Sequence, residues 1–394
     1  MRLKELFAVG SVLFLALLYL YFFTPPFTSQ HPAFSLSWDH HHYMYMAEHP
    51  LFEFYISPYC WRILNPLLAK LMPFSLETNF RVLSFIALLG ASIFLYLLLR
   101  TIGFTRILSL FGALLFISLG WATSYNLYNF WLTDSLAFFF ITAGLWAIYK
   151  KNDLLFLFIL TIGVTAKETV FFLAPLYFTI KTGRTFEWHL LLRTVLLAVP
   201  AATVLLLLRL AVPSLNGDDE YVLSLPPDQR EMHIYTLEYM IKNIALLRLN
   251  DFGLKDLITF SAGTFGISLL LLPFLFLRSN YKSLLRFLPL YLLSLMSIAF
   301  AYNTERLIVA AFPVFIIMST ESARQLIKRF PAPDILLLIL PVILILLHGT
   351  KNAFVLSYLL ESLVLLGFLS LIIFTGESEN KLILALKRWS DETR

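Results

Sequence analysis

An acid, three histidines and an arginine lie close together near the start of the chain. They sit in Trp38-Asp39-His40-His41-His42-Tyr43 and in Pro58-Tyr59-Cys60-Trp61-Arg62-Ile63-Leu64-Asn65-Pro66. Asp39 suits a general base that takes a proton from an acceptor hydroxyl, and shielding by Trp38 and Tyr43 would raise its basicity. The alternative is an N-cap for the following helix, a position that Asp favours. His40, His41 and His42 cannot all converge on one ion, because successive helical side chains fan out by about 100°. One of them with Asp39 and Glu48 would make a site for a divalent cation, the one cofactor the loop could hold. Otherwise they hydrogen-bond headgroups or substrate, with His40 and Tyr43 taken as substrate contacts. Arg62 carries a guanidinium fork suited to bidentate phosphate recognition, beside aromatics able to stack on a sugar or line a lipid groove. Its alternative is snorkelling to headgroups.

Further candidates are scattered along the chain. Asp134, in Asn126-Leu127-Tyr128-Asn129-Phe130-Trp131-Leu132-Thr133-Asp134-Ser135, directly precedes the apolar run Leu136 to Phe140. An acid retained at such a boundary faces a cavity or caps a helix. Lys167 and Glu168 interrupt another apolar stretch: the lysine suits a lipid phosphate, the glutamate an acceptor, or the two simply fix packing. Arg306, in Tyr302-Asn303-Thr304-Glu305-Arg306, is a further phosphate candidate whose alternative is pairing with Glu305. His348 reads as an interfacial histidine.

These residues need a scaffold, and composition names it. Apolar residues make up 59% of 394 positions and charged residues only 14%, with a mean hydropathy of +0.78. A soluble surface would need about 25% charged residues, so lipid solvates most of this chain. The formal charge of +5 is small and sits in loops, a topology signal rather than a nucleic-acid footprint. The single Cys60 excludes an internal disulfide. A span needs about 20 apolar residues, fewer when kinked or shielded. That rule predicts an all-α protein of twelve spans near 5–23, 79–100, 107–122, 132–149, 154–166, 168–181, 189–212, 257–278, 284–301, 306–321, 334–348 and 353–375. The first is longer than a signal-peptide core and lacks a cleavage site, and is read as a retained helix.

Positive residues orient these spans. With both termini in the cytoplasm, the inner loops hold Arg100 and Arg106, Lys150 and Lys151, Lys181 and Arg184, Arg278 with Lys282 and Arg286, and Arg324 with Lys328 and Arg329. The tail Lys381 to Arg394 is also inside, and only isolated positives such as Lys167, Arg306 and Lys351 lie outside. One long helix over 154–181 would reverse every later loop, so a hairpin turning at Ala166-Lys167-Glu168 is expected. The outer segment 24–78 mixes aromatic and polar residues and predicts interfacial helices over Asp39 to Glu48 and Pro58 to Leu71, with Pro58 in the first turn. A second outer segment, 213–256, predicts a helix from Asp228 to about Arg248. Under this one topology Asp39, Arg62, Asp134, Lys167, Glu168 and Arg306 all face outward. The short basic inner loops carry no Gly-rich phosphate cradle, which argues against a nucleotide site there.

On those residues the chain resembles the GT-C superfamily of integral-membrane glycosyltransferases. The likeness rests on the first span, the long outer loop with an early acid at Asp39, the proline- and arginine-containing Pro58-to-Pro66 stretch, and Ala166-Lys167-Glu168 at a lysine-bearing hairpin tip. It runs over residues 1–320, leaving 321–394 as C-terminal helices and tail. A single Asp39 stands where some branches have an acid pair. The resemblance implies transfer of a monosaccharide from a polyprenyl-phosphate carrier, undecaprenyl or dolichyl, to a glycan, lipid or protein acceptor at the outer face of the cytoplasmic membrane. Asp39 would be the base, and Arg62, Lys167 and Arg306 would hold the departing phosphate. Two other readings compete. A polysaccharide polymerase or ligase would place its important loop late in the chain. A transporter or flippase of a lipid-linked substrate would carry charges deep in spans and helices broken near the midplane.

Overall fold

A computed structural model describes residues 3–31, 39–182, 186–212, 245, 253–277, 286–300, 304–351 and 356–392. It is 83% helical, and no strand occurs among the described residues. In chain order the helices are α1 (Leu3–Phe23), α2 (Asp39–Glu48), α3 (Leu64–Leu71), α4 (Leu76–Ile102), α5 (Arg106–Ile117), α6 (Ser124–Tyr128), α7 (Asp134–Tyr149), α8 (Asp153–Ala166), α9 (Leu173–Lys181) and α10 (Trp188–Ala211). They continue as α11 (Leu254–Phe265), α12 (Ile267–Leu270), α13 (Leu288–Ser297), α14 (Thr304–Ile308), α15 (Phe312–Arg329), α16 (Ile339–Lys351) and α17 (Tyr358–Glu392). Trp38 and the predicted helix over 228–248 lie outside the described residues, apart from position 245, as do Arg184, Lys282 and Tyr302.

Among the described residues, five helical stretches are long and apolar enough to cross a membrane: Leu3–Phe23, Leu76–Ile102, Trp188–Ala211, Thr304–Arg329 and Leu359–Gly376. A sixth appears if Lys255–Phe265 and Ile267–Leu275, bent by 103° at Gly266, count as one. Other apolar helices, such as Arg106–Ile117 and Asp153–Ala166, are shorter. Local sequence explains the interruptions. Pro313 enters α15 in its first turn, and its ring would clash with a carbonyl one turn earlier, so Val309–Ala311 is a 3-10 step instead. The expected helix from Pro58 is likewise divided. A short 3-10 turn, Tyr59–Trp61, stops at Arg62, whose backbone leaves the helical region before α3 begins.

Ion pairs and caps show how the helices run. Glu5 at the start of α1 meets the Tyr96 hydroxyl at 2.8 Å, Arg100 at 3.3 Å and Arg106 at 3.1 Å. Just past the other end of α1, the Ser29 hydroxyl donates to Glu77 in the first turn of α4 at 3.3 Å, so α1 and α4 are antiparallel. Asn152 caps α8 by accepting from the Leu155 N–H at 3.0 Å. The predicted hairpin is observed: α8 ends at Ala166, and the chain doubles back so that Lys181 Nζ reaches Asp153 at 2.8 Å. Gly163 permits the close approach below this tip. A Cβ there would lie 2.6 Å from Val170 and 3.0 Å from Phe140.

One apolar core runs from α1 to α17. A second, smaller one gathers Phe27, Tyr43, Met46, Phe54, Ile56, Cys60, Phe80, Phe130 and Trp131. The α2–α3 segment is therefore a packed cap with its own core, seated on the ends of α4 and the α6–α7 connection. The Trp131 indole N–H donates to the Phe27 carbonyl at 2.8 Å, and Asn65 Nδ2 donates to the Trp131 carbonyl at 3.1 Å.

Candidate active site beneath the cap

The cap, the hairpin tip and α14 converge on one cage of charges. α2 places Asp39 and Tyr43 on the same face, four residues apart. Asp39 Oδ1 accepts from the Tyr59 hydroxyl at 2.6 Å, and Oδ2 pairs with Arg306 Nη1. Both oxygens are thus engaged away from their own helix, which replaces the capping alternative. Arg306 Nε donates to Asp134 Oδ2 at 2.7 Å, and the other Asp134 oxygen takes Lys167 Nζ. Arg62 grips Glu168 with both arms of its fork, Nε at 2.9 Å and Nη2 in a close ion pair. Its Nη1 donates to the Tyr43 hydroxyl at 3.2 Å.

Each local element explains one position. Asp134 begins α7, where the helix dipole favours a negative charge. Neither Thr133 nor Asp134 closes a side-chain cap, since Thr133 makes none and the Asp134 carboxylate serves Lys167 and Arg306. Lys167 is in extended backbone at the end of α8, which turns its ammonium inward while Glu168 next to it turns toward Arg62. The two do not pair with each other in the cage.

Three carboxylates and three cations cancel, but they are not equally buried. The Asp134 and Lys167 side chains are 1% and 4% exposed and form the floor. Asp39 and Glu168, at 24% and 38%, form the mouth. Burial alone would push the Asp39 carboxyl up. The Arg306 guanidinium, the Tyr59 hydroxyl and Arg62 outweigh it and hold Asp39 well below the usual carboxylate range. The raised basicity expected from aromatic shielding is therefore overturned: the cation beside it decides. Burial and the Asp39 carboxylate push the Tyr59 phenol up, which keeps it a donor.

Asp39, Tyr43, Arg62, Asp134, Lys167, Glu168 and Arg306 are brought together. His40 is placed differently: fully buried, its ring meets Phe27 edge-on at 5.0 Å. His42 packs against Tyr59 at 4.6 Å, and Glu48 is exposed at the far end of α2. Among the described residues no group of three or more His, Cys, Asp or Glu could hold a metal ion, so the divalent-cation site of Asp39, a histidine and Glu48 is not assembled. Asn126 staples a turn by donating to the Trp121 and Ala122 carbonyls.

Two residues at this end escaped the sequence. Tyr59 was one aromatic among many, and only its bond to Asp39 marks it. Arg209 stacks over the Trp61 ring at 4.7 Å, on the exposed side of α10. An arginine one turn from the end of an apolar span was a readable signal. No protein-family model matches this chain, and no curated protein matches it either.

Proposed function

We propose that the protein is a polytopic membrane glycosyltransferase of the GT-C type that moves a monosaccharide from a polyprenyl-phosphate carrier to an acceptor hydroxyl, with the charge cage as its active site. In this reading twelve segments cross the bilayer, the shorter ones shielded by neighbours, with both termini cytoplasmic and the cage at the outer face. The observation that carries it is the gathering of three cations from distant parts of the chain, Arg62, Lys167 and Arg306, in one cage that has the Asp39 carboxylate at its mouth. Buried cations held by fixed carboxylates are preorganised for an incoming phosphate.

The same geometry supports a gated reaction. The carrier phosphate enters at the mouth and takes over Arg306 from Asp39 and Arg62 from Glu168. Asp134 keeps the Lys167 ammonium and one edge of Arg306 in place. Released from Arg306, Asp39 rises toward an ordinary carboxylate and becomes a competent base while Tyr59 still orients it. The acceptor oxygen attacks the anomeric carbon, and the bond from that carbon to the phosphate oxygen breaks. The phosphate leaves with the electron pair, and the hydroxyl proton goes to Asp39. Donor binding thus switches on the base.

A membrane assay with radiolabelled polyprenyl-phosphate sugars, wild type against Asp39→Asn, tests this. Loss of transfer by about 10²–10⁴-fold in a folded variant is expected for a missing general base; equal transfer removes Asp39 from the mechanism. One feature favours a second reading, transport of a lipid-linked substrate: the helix broken at Gly266 resembles the interrupted helices of transporters. Translocation of the substrate without chemistry, unaltered by Asp39→Asn, would select it.

A further inference from the structure

Away from the cage, a narrow cleft opens where α11 breaks, lined by Ser118, Gly263, Thr264, Gly266, His348 and Glu361 among others. Its free space is that of one water or small ion. We propose that this cleft binds a single monovalent cation of the sodium class, with Glu361 supplying the charge and the interrupted helix supplying oxygen ligands. The site is separate from the cage and does not rest on the transferase reading.

Three observations carry it. Glu361, in the first turn of α17, is 8% exposed, and its Oε2 is buried with no hydrogen-bond partner. No lysine or arginine among the described residues reaches it in an ion pair. A bare carboxylate in a lipid-solvated bundle is costly, and such groups are retained where a counter-ion is bound. Second, the backbone is shaped around this carboxylate. Gly266 has φ 41° and ψ −119°, and a Cβ there would lie 2.5 Å from both Glu361 oxygens. The conformation calls for glycine, and a Cβ there would push the Glu361 carboxylate out of its present place. Third, the break frees carbonyl groups. The Leu269 N–H, which in an unbroken helix would bond the Phe265 carbonyl, donates to the Gly266 carbonyl at 3.0 Å instead. Helix ends interrupted inside a membrane protein present such carbonyls to alkali cations.

The chemistry selects the ion. One carboxylate with hydroxyl and carbonyl neighbours is a hard-oxygen set whose single negative charge one monovalent cation neutralises, and the cleft has no room for the several waters that a magnesium ion keeps. The cleft is too small for a sugar or a lipid headgroup.

Detergent-purified full-length protein would be titrated with ²²Na⁺ in a scintillation proximity assay at constant ionic strength, with N-methyl-D-glucamine as the replacement cation. The expected result is saturable binding, displaced by unlabelled sodium, with the midpoint moved at least tenfold in Glu361→Gln. Thermal unfolding of the wild type should rise with sodium and not with N-methyl-D-glucamine. The wild-type titration stands even if Glu361→Gln fails to fold. Absence of saturable binding in the wild type, or an unchanged midpoint in Glu361→Gln, overturns the proposal. So does a thermal shift that follows pH at fixed sodium while sodium has no effect, since the carboxylate would then hold only a proton. None of these outcomes depends on sugar transfer.

Discussion

Two Asp–Lys pairs lie at opposite ends of α8, and they differ in burial. Asp153 opens α8 and takes Lys181, the last residue of α9, at 2.8 Å, with the Tyr177 hydroxyl at 2.9 Å and Arg193 alongside. Those side chains are 17%, 19% and, for Arg193, 61% exposed. Asp134 opens α7 and takes Lys167 at the hairpin tip, with Arg306 alongside, but here the pair is 1% and 4% exposed. A staple that keeps part of its solvent in this way is worth about 0–1 kcal/mol. A buried pair must outweigh a desolvation term of several kcal/mol per ion, and hydrophobic residues of similar volume would usually serve stability as well. The first cluster is explained by holding the hairpin shut. The second is explained better by keeping cations dry, paired and ready for an anion.

Substitutions separate the two ends most sharply in stability. Asp134→Ala leaves Lys167 and Arg306 with one carboxylate fewer in a closed space and should lower stability by about 3–5 kcal/mol. Asp153→Ala should lower it by about 1 kcal/mol or less. Thermal unfolding of both variants in one detergent reads the difference; equal losses would erase the distinction between cage and staple. Next in size is the fork at the mouth. Arg62→Lys keeps the charge but loses the two-armed grip on Glu168. It should reduce transfer by about tenfold to a hundredfold, equivalent to 1.4–2.7 kcal/mol, whereas Lys181→Arg at the other end should leave transfer unchanged.

Acid should act on the mouth of the cage in a predictable direction. Asp39 is held below its unfolded value. Its contribution to stability is complete above the ordinary carboxylate range, about pH 4, and is lost as pH falls through the lowered folded value. The apparent unfolding temperature should thus stay level from neutral pH to about pH 5 and drop below pH 4, with a shallower drop in Asp39→Asn. An identical acid limb in that variant would remove Asp39 from the linkage. The smallest effect is expected at Arg209, where Arg209→Ala removes a stacked cation from Trp61 and should change stability by about 0.5–1 kcal/mol.

The sequence made part of this readable. The residue types that cannot be explained by crossing a bilayer, Asp39, Arg62, Asp134, Lys167, Glu168 and Arg306, all end up in the cage, because buried charge in an apolar chain is rare enough to notice. Which acid meets which base was not readable. Arg306 finds Asp39 across 267 positions, a pairing set by how α14 packs under the cap. The lowered acidity range of Asp39 follows from that pairing, so reading its aromatic neighbours alone gave the wrong sign. The histidine run drew the eye by repetition, yet α2 rotates His40 and His42 into aromatic packing. Apolar length located the helical regions well but could not show that Pro313 and Gly266 divide them, since both breaks depend on single residues in otherwise suitable runs.

A phosphate that competes with Asp39 for Arg306 makes the affinity for the released carrier depend on both residues. Binding of polyprenyl phosphate would be measured on wild type, Asp39→Asn and Arg306→Lys by quenching of intrinsic tryptophan fluorescence. Asp39→Asn should bind the carrier at least as tightly as wild type, because the competing carboxylate is gone, while Arg306→Lys should bind it about tenfold or more weakly. Weaker binding in Asp39→Asn, or equal binding in all three, would contradict this competition.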